Sequence, residues 1–396
     1  MKVIASILLF TSLLFAAKVV EVDERFQQSQ NCKACHLHIV KEWEESWHAN
    51  SHYESDEYLR ASIDYVSRKT HKSLNAVKVE CATCHNPRIS VTKTGMDYEI
   101  MAVMELDKGS KVNKALQSNA ISEGINCIVC HNIDKIHDDK DPTKRGINRV
   151  EWTKSGTMTG PYDDAKSPYH KVEERDFMSS NPDKLCFVCH ANDRSVEGFV
   201  FTDMQSEFVA GEKKCVDCHM GEKKIGVAAT LKIDNGKAKQ REIRGHAFSG
   251  AHSPAMWKDA LELDLEQEGN DLLIAISNPQ PHNIPSGFGS RELLVELSYK
   301  KGLAEIESKI ISLTNHYTSK RDKATIPHLA ESSTKDGTIP AKGKKVIKVP
   351  NEKGASSVEV KLYYRLVNDE VRTLLELKEP IWSQKSFITS KNINLK

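Results

Sequence analysis

One short pattern, Cys-x-x-Cys-His, occurs five times in this chain and uses every cysteine that the chain has. The sequence of 396 residues contains 10 Cys and 16 His, so repeated chance matches at this spacing are negligible. The recurrence implies one repeated chemical function, and the fold must accommodate it five times. The cysteines are Cys32 and Cys35, Cys81 and Cys84, Cys127 and Cys130, Cys186 and Cys189, and Cys215 and Cys218.

The spacing within the pattern has a physical reason. On a helical turn, residues i and i+3 share a face and residue i+4 lies beside them. Two cysteines so placed can form thioether bonds to the edge of a porphyrin, and the adjacent imidazole reaches the iron from the same side. This is the attachment pattern of c-type haem, so the sequence predicts five covalently bound haems. The predicted proximal iron ligands are His36, His85, His131, His190 and His219.

Disulfides and structural zinc are the alternatives for so many cysteines. Exported proteins often pair their cysteines, but a disulfide does not require a histidine after every second cysteine. Structural zinc takes four ligands from cysteine and histidine, and the five three-ligand motifs do not divide naturally into sets of four. Haem therefore explains the pattern better than either alternative.

Residues 1–17 have the layout of a secretory signal peptide. Lys2 precedes an apolar run from Val3 to about Phe15, and small residues follow. The run is shorter than the ~20 apolar residues that a membrane-spanning helix needs. An uncleaved anchor is the alternative. We expect export to the periplasm or the cell surface, with no transmembrane segment in the mature chain.

The five motifs lie within residues 32–219, which leaves little polypeptide for each haem. The macrocycles must therefore supply much of the buried apolar material and lie close together. After Met220 the cysteines end and strand patterns begin. The sequence predicts a mixed fold: a mainly α-helical and loop haem domain over residues 18–255, followed by a β-sandwich-like domain over residues 256–396 that docks on the haem core.

Local patterns predict individual elements. A helix is expected over residues 55–68, because Leu59, Ile63 and Val66 recur at helical spacing. Residues 142–169 are rich in Gly, Pro, Asp and Thr and are expected to form a loop. Short alternating segments predict strands in sheets with one wet face. These strands are 261–265 and 272–276, joined by a hairpin at 268–271, and then 293–297, 346–349, 358–366 and 374–377.

A resemblance points to further iron ligands. The first motif, followed by Trp43-x-x-Ser46-x-His48-Ala49, resembles the first haem region of multihaem c-type cytochromes. That family includes the tetrahaem cytochrome that accepts electrons from hydroxylamine oxidoreductase. The resemblance covers about residues 30–195 and implies that His48 is a distal ligand to a haem other than the neighbouring one.

Two more segments in this stretch are similar to the same family. The sequence Gly124-Ile-Asn-Cys127 opens a motif that resembles the family's third site. The sequence Ser167-Pro-Tyr-His170-Lys171 falls where the family places another distal histidine, which implies that role for His170. The fifth motif exceeds the tetrahaem plan, so the pairing of ligands does not follow from the resemblance.

Two later loops look like recurrent pieces of larger multihaem cytochromes. They are Arg244-Gly-His246-Ala-Phe248-Ser-Gly250-Ala-His252 and Asn278-Pro-Gln-Pro-His282-Asn-Ile-Pro285-Ser-Gly287. Loops framed by Gly and Pro can hold backbone close to a flat ligand, so His246 and His282 are expected distal ligands. Ligation by His282 would dock the β-rich domain on the haem core.

The fifth distal ligand is less constrained. His71 is the first candidate, with His52 and His252 as alternatives. Four other histidines are expected to be ordinary surface residues: His38, His137, His316 and His328.

Five closely spaced haems predict a protein that moves electrons between redox partners in a respiratory chain. If two histidines ligate every iron, no coordination position is open to a substrate. The alternative is a haem enzyme with one open iron that acts on a small nitrogen or sulfur oxide. Pentahaem nitrite reductases carry a Cys-x-x-Cys-Lys site, which this chain lacks, and this argues against nitrite reduction.

The expected partners are other redox proteins, such as a membrane quinol-oxidising cytochrome or a periplasmic reductase or dehydrogenase. A formal net charge of +1 gives no reason to expect nucleic acid. Haem propionates would turn this nearly neutral chain into an acidic holoprotein. Basic patches on its partners would then speed encounter in a salt-dependent way.

Overall fold

A computed structural model describes residues 22–137, 144–211, 213–232, 236–258, 260–334 and 337–396. Among these residues the helices are short and, with one exception, precede residue 220. They are α1 (Lys33–Glu44), α2 (Trp47–Asn50), α3 (Glu57–Thr70), α4 (Leu74–His85), α5 (Met96–Val103), α6 (Lys111–Leu116), α7 (Cys127–His131), α8 (Asp176–Ser179), α9 (Asp183–Cys186), α10 (Met204–Glu207), α11 (Cys215–His219) and α12 (Asp369–Leu374).

The first half of the chain carries only short strands, and the long strands follow residue 260. The short ones are β1 (Ile133–Ile136), β2 (Val150–Trp152), β3 (Thr157–Gly160), β4 (Lys171–Glu174), β5 (Asp193–Arg194), β6 (Val200–Thr202), β7 (Lys224–Val227) and β8 (Gln240–Ile243). The later ones are β9 (Glu262–Glu268), β10 (Asp271–Ser277), β11 (Glu292–Lys301), β12 (Ala304–Leu313), β13 (Tyr317–Thr318), β14 (Ala324–Thr325), β15 (Ser332–Ser333), β16 (Lys344–Pro350), β17 (Ser357–Arg365) and β18 (Lys385–Asn394).

Two antiparallel sheets dominate the second half. One has the strand order β16-β10-β9 and the other the order β12-β11-β17-β18. In β10 and β17 every second side chain is buried, which is the period that a strand with one face on a core requires. Leu272, Ile274 and Val360 lie on these buried faces with no exposed area. The buried faces of both sheets belong to one apolar core.

Helix α3 joins this core from the first half of the chain. Its buried residues Tyr58, Ile63 and Val66 belong to the same apolar cluster as the two sheets. The Tyr58 hydroxyl lies 3.1 Å from the Ser290 hydroxyl, and the Glu57 carboxylate accepts a 2.7 Å hydrogen bond from the Trp382 indole. The β-rich part is therefore packed against the helical part rather than tethered to it.

The sequence explains where α3 begins and ends. The Asp56 side chain accepts a hydrogen bond from the Leu59 amide at 3.0 Å and so caps the first turn. The helix stops at His71, whose φ of +59° breaks the helical path. The predicted helix over residues 55–68 is confirmed to within two residues at each end.

The predicted mixed fold is confirmed, with sheets in the second half of the chain. The hairpin at residues 268–271 forms between β9 and β10, where Gly269 takes a φ of +60°. The strands predicted at 272–276, 293–297 and 346–349 lie within observed strands, and the one at 358–366 matches β17 except for its last residue, but the strand predicted at 374–377 is wrong. That segment is the end of α12 and the turn after it, because the Asn368 side chain caps a helix there.

Two other predictions need correction or lie outside the described part. Residues 142–169 were expected to be a loop, yet those described include the strands β2 and β3. The predicted signal peptide, residues 1–17, lies outside the described residues. Within the ranges that the structure describes, no helix is both long enough and apolar enough to cross a membrane.

The shared core makes a stability prediction with a matched control. Leu297 is completely buried in β11, whereas Leu303 in the turn after β11 is fully exposed. We expect Leu297→Ala to lower the free energy of unfolding by ~2–5 kcal/mol, because it leaves a cavity. Leu303→Ala should change it by less than ~0.5 kcal/mol. Chemical denaturation of the two variants checks this, and equal effects would mean that the sheets do not share a tight core.

Candidate haem-binding sites

Each Cys-x-x-Cys-His motif lies on a helical turn, as its spacing predicts. Motif 1 spans the start of α1, motif 2 forms the last turn of α4, and motifs 3 and 5 coincide with α7 and α11. Motif 4 starts at the end of α9 and continues as turns, with the His190 amide donating to the Cys186 carbonyl at 3.0 Å. Both cysteines and the histidine of each motif therefore project to one side.

The motifs surround one large cavity of about 2500 Å³. That volume corresponds to about 500 Å³ for each of five groups, which is within the range of single ligand pockets. Eleven histidines line it: His36, His48, His85, His131, His170, His190, His219, His246, His252, His282 and His328. All five motif histidines and six others are thus brought together.

Hydrogen bonds orient four of the five motif histidines. In three of them Nδ1 donates to a backbone carbonyl, and in His85 it bonds a hydroxyl. The distances are 2.8 Å from His36 to Ala228, 2.7 Å from His85 to Ser51, 2.7 Å from His131 to Thr159 and 2.6 Å from His219 to Ser249. A donor role for Nδ1 leaves the lone pair on Nε2, the atom that would bind a metal.

Three motif histidines face a second histidine at nearly the same separation. The ring centroids are 6.3 Å apart for His131 and His246, 6.4 Å for His219 and His282, and 6.3 Å for His190 and His48. The rings in these pairs are inclined by 26°, 30° and 37°. Two imidazoles that point their nitrogens at each other across this gap are too far apart for a direct hydrogen bond.

This separation fits one metal ion between each pair of rings. A metal–nitrogen bond to histidine is about 2 Å long, and about 1 Å more separates the nitrogen from the ring centroid, so two opposed ligands place their centroids about 6 Å apart. The cavity beside the rings has the size that a macrocycle needs. The residues present therefore fit haem irons with two axial histidines.

The conformation around His48 explains the roles of the tryptophan and the serine that precede it in the sequence. The Trp43 indole donates to the Ile125 carbonyl at 2.7 Å, and the Ile125 amide donates to the His48 carbonyl at 2.8 Å. The Ser46 hydroxyl accepts from the Ala49 amide and caps α2. The tryptophan and serine thus position α2, and α2 places His48 opposite His190.

His170 is near the first motif but is not one of the three ring pairs. Its ring packs edge-on against Phe26 with centroids 6.0 Å apart, and its Nδ1 lies 3.3 Å from the Lys171 carbonyl. Burial lowers the pKa of His170, and the nearby His36 lowers it further. The structure therefore places His170 beside His36 within the cavity.

Burial favours the neutral form of His48, His190 and His246. It lowers the pKa of His48 to about 3, with smaller contributions from His190 and His219. Burial likewise lowers the pKa of His190 and of His246 to about 4. A neutral imidazole has a free lone pair near pH 7, which is the form that binds a metal.

The structure does not bring His71 to the cavity. His71 is an exposed residue that ends α3, and His52 is likewise absent from the cavity lining. His252 lines the cavity, but its ring is stacked on Trp47 with the centroids 3.6 Å apart.

Sequence reasoning missed His328. We expected a surface residue, yet His328 is half-buried and lines the cavity. Its neighbour Pro327 starts a short 3₁₀ turn that aims it inward. A Pro-His pair in a loop resembles the setting of His282, and this was the signal that could have identified it.

Contacts between cysteines show which motifs are neighbours. The thiol of Cys127 lies close enough to raise the pKa of Cys32, so motifs 1 and 3 adjoin. The thiol of Cys84 likewise raises the pKa of Cys189, so motifs 2 and 4 adjoin. The thiol of Cys186 raises the pKa of Cys215, so motifs 4 and 5 adjoin. All ten cysteines are free thiols in the structure, and no group of three or more His, Cys, Asp or Glu in the described ranges is placed to hold an ion as structural zinc requires.

Comparisons with known proteins agree with this arrangement. Residues 64–230 match the family model for MtrC/MtrF-like outer membrane cytochromes, domains II/IV. A crystal structure of a penta-heme cytochrome c552 from Thermochromatium tepidum superposes with a TM-score of 0.68 at 18% identity, covering 93% of this chain and 98% of that chain. No curated protein matches the sequence.

A structure of superoxide reductase in the oxidized state also aligns, over 35% of this chain and 89% of that chain, at 9% identity and a TM-score of 0.18. That score is too low to support an argument. The family model and the superposition with the cytochrome c552 support the predicted c-type haem. The chain has the fold of a multihaem cytochrome.

Proposed function

We propose that this protein is an exported pentahaem c-type cytochrome that carries electrons between redox partners in a respiratory chain. The observation that carries the proposal is the set of three histidine pairs with ring centroids 6.3–6.4 Å apart. Two opposed histidines fill both axial positions of an iron and leave no position open to a substrate. Such irons exchange electrons and do not bind small molecules.

The proposed axial pairs are His131 with His246, His219 with His282, His190 with His48, and His36 with His170. Haem supplies the one-electron redox chemistry when it is bound. The protein residues hold the ring planes, fix the tautomers through Nδ1 and exclude water from the ligands. Ligand orientation, hydrogen bonding and exclusion of water are also among the properties that set reduction potentials in haem proteins.

The neighbouring motifs define a branched route for electrons. Motif 1 adjoins motif 3 through Cys32 and Cys127. Motif 3 in turn adjoins motif 4, because Cys186 of motif 4 lies close enough to Cys130 of motif 3 to add to the rise in the pKa of Cys130 that burial causes. Motif 4 also adjoins motifs 2 and 5. We infer that the haem on motif 4 is the junction from which electrons reach the second and the fifth haem.

We further propose that the partners are other redox proteins. A membrane quinol-oxidising cytochrome or a periplasmic dehydrogenase would supply electrons, and a reductase or another cytochrome would accept them. The similarity to outer membrane cytochromes supports a periplasmic or cell-surface location. Acidic propionates on this protein would favour partners with a basic docking face.

The alternative function is a haem enzyme with one open iron. The observation that favours it is that His85 is not part of the three ring pairs, although it lines the cavity. An open iron on motif 2 would bind a small nitrogen or sulfur oxide. The two functions differ in the spin state of one iron.

Spin state and iron content test the proposed carrier. We expect five irons per chain, a ferric spectrum in electron paramagnetic resonance with only low-spin signals, and no binding of carbon monoxide by the reduced protein. Filled axial positions are the physical reason. One stoichiometric high-spin iron that binds carbon monoxide would instead support the enzyme.

The pairing of His219 with His282 makes a second prediction. His282→Ala removes the ring that lies 6.4 Å from His219, so we expect one of the five irons to become high-spin. His316→Ala is the control, because His316 is exposed and its Nδ1 contacts Glu370. Absorption and paramagnetic resonance spectra of both variants give the answer, and five low-spin irons in His282→Ala would reject this ligand.

A further inference from the structure

We infer that His328, in the β-rich part of the chain, is the distal iron ligand opposite His85 of motif 2. The inference rests on the proposed function and completes its set of axial ligands. It replaces His71 in that set, because His71 is exposed at the end of α3. It also removes the open iron on which the alternative function depends.

His328 is held rigidly at the cavity wall. It lies in the turn Pro327–Leu329, and its carbonyl accepts a hydrogen bond from the Val196 amide at 2.9 Å. Two residues further, the Ala330 carbonyl accepts from the Ser195 hydroxyl at 2.6 Å. The ring packs edge-on against Phe201 with the centroids 5.1 Å apart. These contacts fix His328 to the hairpin formed by β5 and β6, which follows motif 4 in the chain.

Motif 2 is connected to the same hairpin through residues 145 and 146. Gly146, with a φ of +54°, packs so closely on motif 2 that a Cβ would lie 2.0 Å from the Thr83 carbonyl oxygen and 2.9 Å from the Cys84 sulfur. The preceding residue, Arg145, forms a 2.8 Å ion pair with Asp193 at the start of β5. The segment 145–146 thus connects motif 2 to the hairpin that holds His328.

The electrostatics of both histidines point to this shared neighbourhood. Burial lowers the pKa of His85 to about 4; Asp193 opposes this shift and His328 adds to it. Burial, and then Arg145, lower the pKa of His328 to about 4. Both imidazoles therefore lie near the Arg145–Asp193 ion pair. Nδ1 of His328 is buried and has no hydrogen-bond partner among the described residues.

The other cavity histidines are less suitable. His48, His246 and His282 each face a different motif histidine, and His170 lies beside His36. His252 remains, but its ring lies flat on Trp47 with an inclination of 11°. His328 is the cavity histidine that the β5–β6 hairpin and residues 145–146 connect to motif 2.

The experiment compares His328→Ala with His252→Ala in the haem-loaded protein. We expect five irons per chain in both variants. In His328→Ala one iron becomes high-spin and binds carbon monoxide when reduced, and added imidazole returns it to the low-spin form. His252→Ala keeps five low-spin irons. Paramagnetic resonance and absorption spectra measure all of these outcomes without reference to any enzymatic activity.

A second variant covers the case in which His328→Ala does not accumulate. His328→Met retains a ligand, so we expect five low-spin irons, one of them with a raised reduction potential and the spectrum of histidine–methionine ligation. Redox titration resolves the shifted iron. A titration identical to that of the parent protein would overturn the inference.

The outcomes separate this inference from the proposed function. A parent protein with five low-spin irons whose spectra do not change in His328→Ala keeps the carrier function and rejects His328. A high-spin iron in His252→Ala, and none in His328→Ala, assigns the position to His252. A parent protein that already contains a high-spin iron, unchanged by His328→Ala, rejects both the inference and the proposed carrier.

Discussion

The cavity between the five motifs is the constraint on which the rest of the molecule depends. The cavity of about 2500 Å³ is lined by residues of all five motifs and by histidines from both halves of the chain. Its walls are mainly apolar, which suits a large flat group. Haems attached through the ten cysteines would fill this space and could not dissociate from it. This explains why the first half of the chain consists of short helices and long connections: it would surround the macrocycles rather than pack on itself.

The second half of the chain forms a rigid support for loops that reach the cavity. Its two sheets share one apolar core, and α3 of the first half belongs to that core. The loops that carry His282 and His328 extend from this β-rich part into the cavity. If these histidines ligate iron as proposed, such a scaffold suits them, because loops anchored on packed strands lose little freedom on binding.

The sequence predicted those elements that depend on residues close together in the chain. The five motifs predicted their own helical turns, and the spacing of Leu59, Ile63 and Val66 predicted α3. The distal positions depend on contacts between residues that are far apart in the chain, and no local pattern marks them. His48, His246 and His282 face motif histidines, but His71 ends a helix on the surface and His328 lines the cavity. A distal ligand needs only one exposed lone pair, so neither periodicity nor composition marks it.

The arrangement of ligands also bears on how the molecule assembles. In every proposed pair one histidine directly follows a cysteine of its motif, while the partner comes from at least 63 residues away. Attachment of each haem can therefore precede closure of its second axial bond, and closure brings distant segments together. His282, facing His219, lies beyond the last cysteine and follows strand β10 of the β-rich part. An iron held by this pair would therefore link the haem shell to the β-rich part, because one ligand comes from each.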